Sequence, residues 1–418
     1  MTGAGRSRRA AGSSGGVVPV LKPPGMTSHD VVDWCRRLFG LRRVGHAGTL
    51  DPAAAGVLVI CLGPATRLAE YLSEAPKAYR AEIWLGVTTD SLDSEGQRVE
   101  PPGPPSRPAA ALDEGTVRRA LAMLSGPQLQ VPPAVSAVRQ DGRRAYHRHR
   151  EGEAVELEAR PVTVYRFELL AWWPGPVPRL LADVVCSKGT YVRALARDLG
   201  RALGVPALLG ALVRTAQGAF RLEQAVTLED LAAAAGEGPA LVAGAGARGP
   251  VVPPAQALAF LPAWVLDPGE ARRVVQGGRP RVRSRPWDRP PEAGMAMAGD
   301  AGAGEGAATG DGAATGAPAG ACVPRPEGGR AGAPPPVTPL PQGTPTPPVP
   351  QVPPVPAGAG TRREPGAGGG AAAPRVRLLD EEGHLLAVAR LQRAGPGWAA
   401  VPEKVFPPEL RQRGREER

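Results

Sequence analysis

The stretch from residue 42 to 63, RRVGHAGTLDPAAAGVLVICLG, sets two glycines, a histidine and a carboxylate just ahead of an apolar run. Gly45 and Gly48 permit backbone angles that other residues avoid, and Pro52 fixes the exit. Asp51 is therefore expected to be held in one place before a rigid strand. A carboxylate so fixed can serve as acid, base or nucleophile. The competing reading is a simple Asp-Pro turn capped by Asp51, the commoner fate of that dipeptide. On these residues alone both readings stand. Asp90 and Asp93 in TTDSLDSEG suggest a second carboxylate pair or a metal loop, but a polar turn is the expected outcome. His147 and His149 in RRAYHRHR form an H-x-H pair with no further ligands in reach, so a basic surface is expected there rather than a metal site. RQDGRRAYHRHR is the densest basic patch of the ordered part. Each phosphate it contacts would add about 0.7–0.9 to the salt slope of nucleic-acid binding.

The elements that position these groups follow from periodicity. Val17–Leu21 reads as a strand and KPPG as a turn. A helix follows, with Ser28 as its N-cap, Asp30 in the first turn and Gly40 as its stop. Val31, Trp34, Cys35, Leu38 and Phe39 form its buried stripe. GVLVICLG reads as a buried strand, PATRLAEYLSEA as a helix and AYRAEIWLGV as a strand. A helix follows around residues 113–125, and residues 132–150 carry a short strand, then a basic turn and helix. RPVTVYRFELLAWW and RLLADVVCSKG read as paired strands, TYVRALARDLGRALG as a helix, ALLGALVRTAQGAF as a strand, and TLEDLAAAA as a capped helix start. Strands out of simple βαβ alternation give an α+β class.

The bulk numbers bound the rest. The 418 residues carry a formal net charge of +10, which points to an anionic partner, nucleic acid or acidic membrane. No run of eighteen apolar residues suggests a membrane span. Cys35, Cys61, Cys186 and Cys322 show no CxxC pairing, so neither a zinc site nor a disulfide framework is expected. Residues 1–16 read as a disordered basic leader, with an organellar transit peptide as the alternative, and residues 17–250 as the main domain. From 285 to 374 glycine, alanine and proline dominate, a composition that cannot offset its ordering entropy. In the flanking pieces, 258–284 and 375–407, Asp267 and Pro268 open a short helix and DEEGH turns a hairpin. Together they read as one small β-rich domain split by a disordered insertion, followed by a charged tail, 408–418.

Several of these motifs, in order, resemble the TruB family of bacterial tRNA pseudouridine synthases: KPPGMTSHDVV, RRVGHAGTLDPAAAGVLVICLG, KAYRAEIWLGVTTDSLDSEG, ARPVTVYRFELL and CSKGTYVRALARDLG. The resemblance runs from about Val17 to Glu229. It implies a catalytic domain with a mixed, largely antiparallel sheet, and a PUA-like RNA-binding domain at the C-terminus. It also implies the isomerisation of uridine 55 in the T-loop of tRNA. The bond between ribose C1′ and uracil N1 breaks, the base turns, and C1′ joins C5. Composition is unchanged, so neither a cofactor nor a metal is implied.

By the same resemblance Asp51 matches the essential aspartate, which attacks the sugar or takes a ribose proton. Tyr79 matches the tyrosine that packs on uracil and is a candidate for the C5 proton transfer, and Arg193 the arginine that pairs with the carboxylate and orients it. Tyr191 and Leu212 match pocket residues, although Leu-Val-Arg here replaces the family's Leu-Arg-Arg. Lys22 matches a buried lysine near the pocket. His46 matches the histidine that fills the space left by a flipped base; a cap on the glycine loop is its other reading. The implied partner is tRNA, with no membrane, no obligate protein partner, a monomeric state and a cytoplasmic location. Two alternatives remain: a guide-RNA-dependent synthase, and a non-catalytic tRNA-binding or folding protein. A hydrolase using Asp51 lacks a second carboxylate for general acid work.

Overall fold

A computed structural model of the chain describes residues 15–100, 104–135, 139–140, 143–144, 157–236, 250–282, 373–395 and 397–407. The basic leader up to residue 14, the helix and histidine pair expected within 145–150, nearly all of the 285–374 insertion and the charged tail lie outside these residues.

Strand β1 (Gly16–Lys22) leads through the KPPG turn into helix α1 (Ser28–Phe39). The helix is capped one residue earlier than the sequence suggests. Thr27 Oγ1 accepts from the Asp30 N–H at 3.0 Å and the Asp30 carboxylate accepts from the Thr27 N–H at 2.8 Å, a reciprocal capping box. Ser28 is unavailable for capping because its hydroxyl is engaged by both the N–H and the C=O of Leu50, at 2.8 and 3.0 Å. Strands β2 (Val44–His46) and β3 (Ala55–Leu62) flank the Asp51 loop. A 3₁₀ turn (Gly63–Leu68), α2 (Ala69–Glu74) and β4 (Lys77–Leu85) follow. Next come α3 (Glu114–Met123), β5 (Gly126–Gln130) and the two-residue strands β6 (Arg139–Gln140) and β7 (Arg143–Arg144), which pair with each other. The domain continues with β8 (Arg160–Trp173), β9 (Arg179–Cys186), α4 (Val192–Leu203), β10 (Ala207–Gln217), β11 (Phe220–Arg221) and α5 (Leu228–Gly236).

The main sheet runs β1-β3-β10-β4-β9-β8-β5, with β2 beside β3 and β11 beside β10. Every pairing is antiparallel except β3 with β10, so the sheet is mixed and largely antiparallel, as expected. The continuous apolar run of β3 is explained by burial of both faces. Leu58, Ile60 and Leu62 join the core under α1, α3 and α4, while Val57, Val59 and Cys61 face a second core built with α2. Cys35, Cys61 and Cys186 are buried free thiols.

The pieces on either side of the insertion form a second sheet. After α6 (Pro254–Ala257) come β12 (Ala263–Val265), α7 (Pro268–Val275), β13 (Arg281–Val282), β14 (Arg375–Leu379), β15 (Leu385–Ala394) and β16 (Gly397–Val405). The order is β12-β14-β15-β16-β13, so strands from both pieces share one ladder. Asp267 caps α7 and Pro268 opens it. Trp264, Leu266, Val274 and Val376 belong to its own core; Leu379, Leu385, Val388 and Phe406 belong to the core shared with α2 and β3. Among the described residues no helix is long and apolar enough to cross a membrane.

Candidate active site

The Asp51 loop is pinned from four sides. Gly48 takes φ +141°, and its N–H donates to His46 Nδ1 at 3.3 Å. Gly45, by contrast, sits in β2 without a left-handed angle; the second glycine that needs one is Gly56, at φ +109°. Leu50 is buried and locked to Ser28. Just beyond Asp51, the Pro52 carbonyl accepts from the Gly25 N–H at 2.9 Å and from Lys22 Nζ at 3.1 Å. Lys22 Nζ also donates to the carbonyls of Pro23 and Met26, so the KPPG turn and the Asp51 loop hang on one buried ammonium. Burial pushes its pKa down to about 8 against the pull of Asp51. The fourth support is Arg214, which donates to the carbonyls of Gly48, Thr49 and Val57 at 3.0, 3.3 and 2.7 Å.

Asp51 projects into a cleft with its side chain 42% exposed, and Arg193, 6% exposed, meets it at 2.9 Å between Nε and Oδ2. The Nε–H is not aligned for a hydrogen bond, so the contact is an ion pair that a bound substrate can tighten. Arg193 lies in the first turn of α4 and is itself held from the other side. Its Nη1 donates to the Ser91 carbonyl at 2.9 Å and lies 3.6 Å from Asp93 Oδ2. The TTDSLDSEG segment is thus the polar turn expected, closed by Ser91 Oγ donating to Asp93 Oδ1 at 2.6 Å. It is also docked on β10 through Ser94 and Leu209. Leu92 adopts φ +64° in this turn, a strained angle for a bulky residue.

The cleft is a cavity of about 640 Å³ lined by Asp51, Tyr79, Tyr191, Arg193 and Leu212, with Lys77, Arg160 and Lys188 supplying cations. Five residues singled out in the sequence therefore converge, although they come from a loop, β4, the start of α4 and β10. Tyr79 is almost fully buried, and burial pushes its hydroxyl up to about 12 while Arg214 opposes the shift. His46 and Lys22 do not line this cavity. His46 caps the glycine loop, and desolvation lowers its pKa; Lys22 clamps backbone.

Sequence reading missed three supports. Arg214 carried a signal, a lone arginine directly after the apolar ALLGALV segment of β10. Gln130, at the end of β5, accepts from the Tyr191 N–H at 2.8 Å and donates to the Tyr191 carbonyl at 3.2 Å, fixing the first residue before α4. Asp93 is read in the sequence as a carboxylate pair with Asp90, a metal loop or a polar turn, and not as a partner of Arg193. Away from the cleft, Asp380, Glu382 and His384 bring potential metal ligands together, but the N–H groups of Glu382 and His384 both donate to Asp380, as a hairpin turn requires.

The comparisons give the chain a family and a fold. Residues 36–192 match the model of the TruB family pseudouridylate synthase N-terminal domain, and 193–239 that of the tRNA pseudouridylate synthase B C-terminal domain. A tRNA pseudouridine synthase B from Symbiobacterium thermophilum is 49% identical over 274 residues, covering 66% of this chain and 86% of that protein. One from Moorella thermoacetica is 48% identical over 264 residues, covering 63% and 82%. Among solved structures, a chain of a Cbf5-Nop10-Gar1 complex superposes with a TM-score of 0.57 at 22% identity, covering 96% of this chain and 87% of that one, a likeness of fold. With this much of a relative's length matched at such identity, the chain belongs to the TruB family and is a pseudouridine synthase, an isomerase.

Proposed function

We propose that this enzyme converts uridine 55 in the T-loop of tRNA to pseudouridine, with Asp51 as the reacting carboxylate. The observation that carries the reading is the half-exposed Asp51 ion-paired to a buried Arg193 on the wall of a cavity that also holds Tyr79. The names of its bacterial relatives support tRNA as the substrate class. A uridine inside a folded loop is reached by flipping it out, which costs a few kcal/mol of stacking and pairing. The flipped nucleotide enters with its ribose towards Asp51 and its base against Tyr79 and Leu212. Breaking the C1′–N1 bond leaves an electron-poor sugar carbon and an electron-rich base. Asp51 supplies the anionic group that the sugar carbon requires, and Arg193 keeps that group aimed. After the base has turned and C5 has joined C1′, the C5 proton is taken up through the Tyr79 hydroxyl and N1 gains a proton in its place, so the composition is unchanged. Lys188 and Arg160 at the cleft rim meet the flanking phosphates. The five-stranded C-terminal sheet serves as a PUA-like RNA-binding domain, and the enzyme acts as a cytoplasmic monomer.

The test incubates the purified protein and its Asp51→Asn variant with unmodified tRNA transcript and maps pseudouridine by carbodiimide treatment and primer extension. The expected result is a stop at position 55 with the wild type and none with the variant, whose rate should fall at least about 10⁴-fold for loss of an essential reacting group. A folded, tRNA-binding wild type that leaves every uridine unmodified would overturn the reading in favour of a guided or folding-only protein.

A further inference from the structure

The loop that carries Asp51 is folded around one side chain. The backbone of Arg214 on β10 pairs with Gly56 at the start of β3, so closely that a Cβ on Gly56 would lie 2.3 Å from the Arg214 carbonyl oxygen. From there the Arg214 guanidinium crosses under the loop to bind Gly48 and Thr49 on its entering stem and Val57 on its leaving stem. The side chain is fully buried, and among the described residues no carboxylate pairs with it. Burying a cation on neutral carbonyls costs several kcal/mol, and an apolar residue of similar volume is the more stable solution for a core. Stability therefore gives no reason for this arginine. Its neighbour across the β4–β10 ladder is Tyr79, whose hydroxyl its charge reaches. One rigid fork thus contacts both stems of the Asp51 loop and faces the tyrosine on the cavity floor.

We propose that Arg214 is a positioning residue for the isomerisation: it fixes the placement of Asp51 relative to Tyr79 without touching the substrate. The proposal rests on Asp51 being the reacting carboxylate. Lysine keeps the charge but has one nitrogen at its tip, whereas Arg214 holds the two stems with separate nitrogens, Nε on Val57 and the two Nη on Thr49 and Gly48.

The experiment measures tritium release from tRNA transcript carrying [5-³H]uridine, with steady-state constants for the wild type, Arg214→Lys and Arg214→Met, beside thermal melting of each. A misplacement of about 1 Å costs on the order of 100-fold. The expected result is therefore a fall in kcat of roughly that size for both variants, with KM for tRNA within about threefold of the wild type and no rescue by lysine. Wild-type kcat in Arg214→Lys overturns the proposal, as does a loss of activity that follows melting or tRNA affinity in proportion. If the arginine variants do not fold, Gly48→Ala decides. It disturbs a carbonyl that Arg214 holds, at φ +141°, while keeping the arginine. A kcat-only loss supports the proposal and an unchanged kcat overturns it. Failure of the wild type to release tritium is a different result, since it removes the functional reading itself.

Discussion

Two clusters of cations and carboxylates stand out in this molecule, and they differ in how far their cations meet water. In the cleft, Arg193 lies between Asp51 and Asp93 with 6% of its side chain exposed. At the seam between α2 and the C-terminal sheet, Glu74 takes Lys188 at 3.1 Å on one oxygen and Arg375 at 2.8 Å on the other, with Glu74 41% and Lys188 60% exposed. Arg375 also meets Glu403 at 2.7 Å and stands over the Tyr71 ring, with Lys404 paired to Glu70 alongside. Both clusters pair cations with carboxylates, but the consequences differ. Exposed pairs are worth about 0–1 kcal/mol each and exchange partners readily. Asp51 is as exposed as Glu74, at 42%, so the difference lies in the cation: the buried Arg193 has few alternative partners and holds geometry. The apolar contacts of Leu379, Leu385 and Phe406 therefore do most of the docking of the second sheet, and the seam charges remain free to exchange.

The comparison can be broken at its strong end first. Arg193→Met should lower kcat by roughly 10³-fold in the tritium assay while tRNA affinity changes little, the signature of a contact needed in the transition state. Next is the cost of burial itself. Burial holds the folded Lys22 ammonium down to about 8, against 10.5 for a solvated lysine in the unfolded chain. Between these limits the unfolded chain holds more protons, so the wild type gains stability as pH rises through the window. Relative to Lys22→Met that gain should reach about 3 kcal/mol in urea titrations from pH 7 to 10.5, and a flat difference would show that the ammonium is not desolvated. Gln130→Met removes the partner of the Tyr191 N–H, while the Tyr191 carbonyl keeps its helical bond from the Leu195 N–H. It should lower kcat about tenfold and stability by about 1–3 kcal/mol, read by kinetics and melting of the same preparation. Glu74→Gln should be the mildest. Stability should shift by no more than about 1 kcal/mol, and that shift should vanish at high salt. A salt-independent loss of several kcal/mol would mean that the seam is as dry as the cleft.

Much of this arrangement is legible in the sequence because it is local. The glycine and proline of the Asp51 loop, the two-sided apolar run of β3 and the caps of α5 and α7 are set by residues a few positions apart. Asp51, Tyr79, Tyr191, Arg193 and Leu212 were found through motifs rather than periodicity, and they share one cavity. What escaped depends on contacts made across the fold. Arg214 reaches Val57 across 157 positions, Gln130 reaches Tyr191 across 61, and Arg193 reaches Ser91 across 102. No local pattern encodes such a partner. The shift of the α1 cap from Ser28 to Thr27 has the same origin, since Leu50 claims the serine.

The split ladder of the C-terminal sheet has a consequence for how the chain tolerates change. β13 ends at Val282 and β14 begins at Arg375, yet their neighbours β16 and β15 fix the register of each. The free energy of closing a connection grows only with the logarithm of its length. Spanning roughly ninety residues instead of ten therefore costs about 2 kcal/mol. Neither strand depends on the connection for its alignment, so this gap is a natural port. Sequence can be removed or replaced between the two strands without changing the register that their neighbours set.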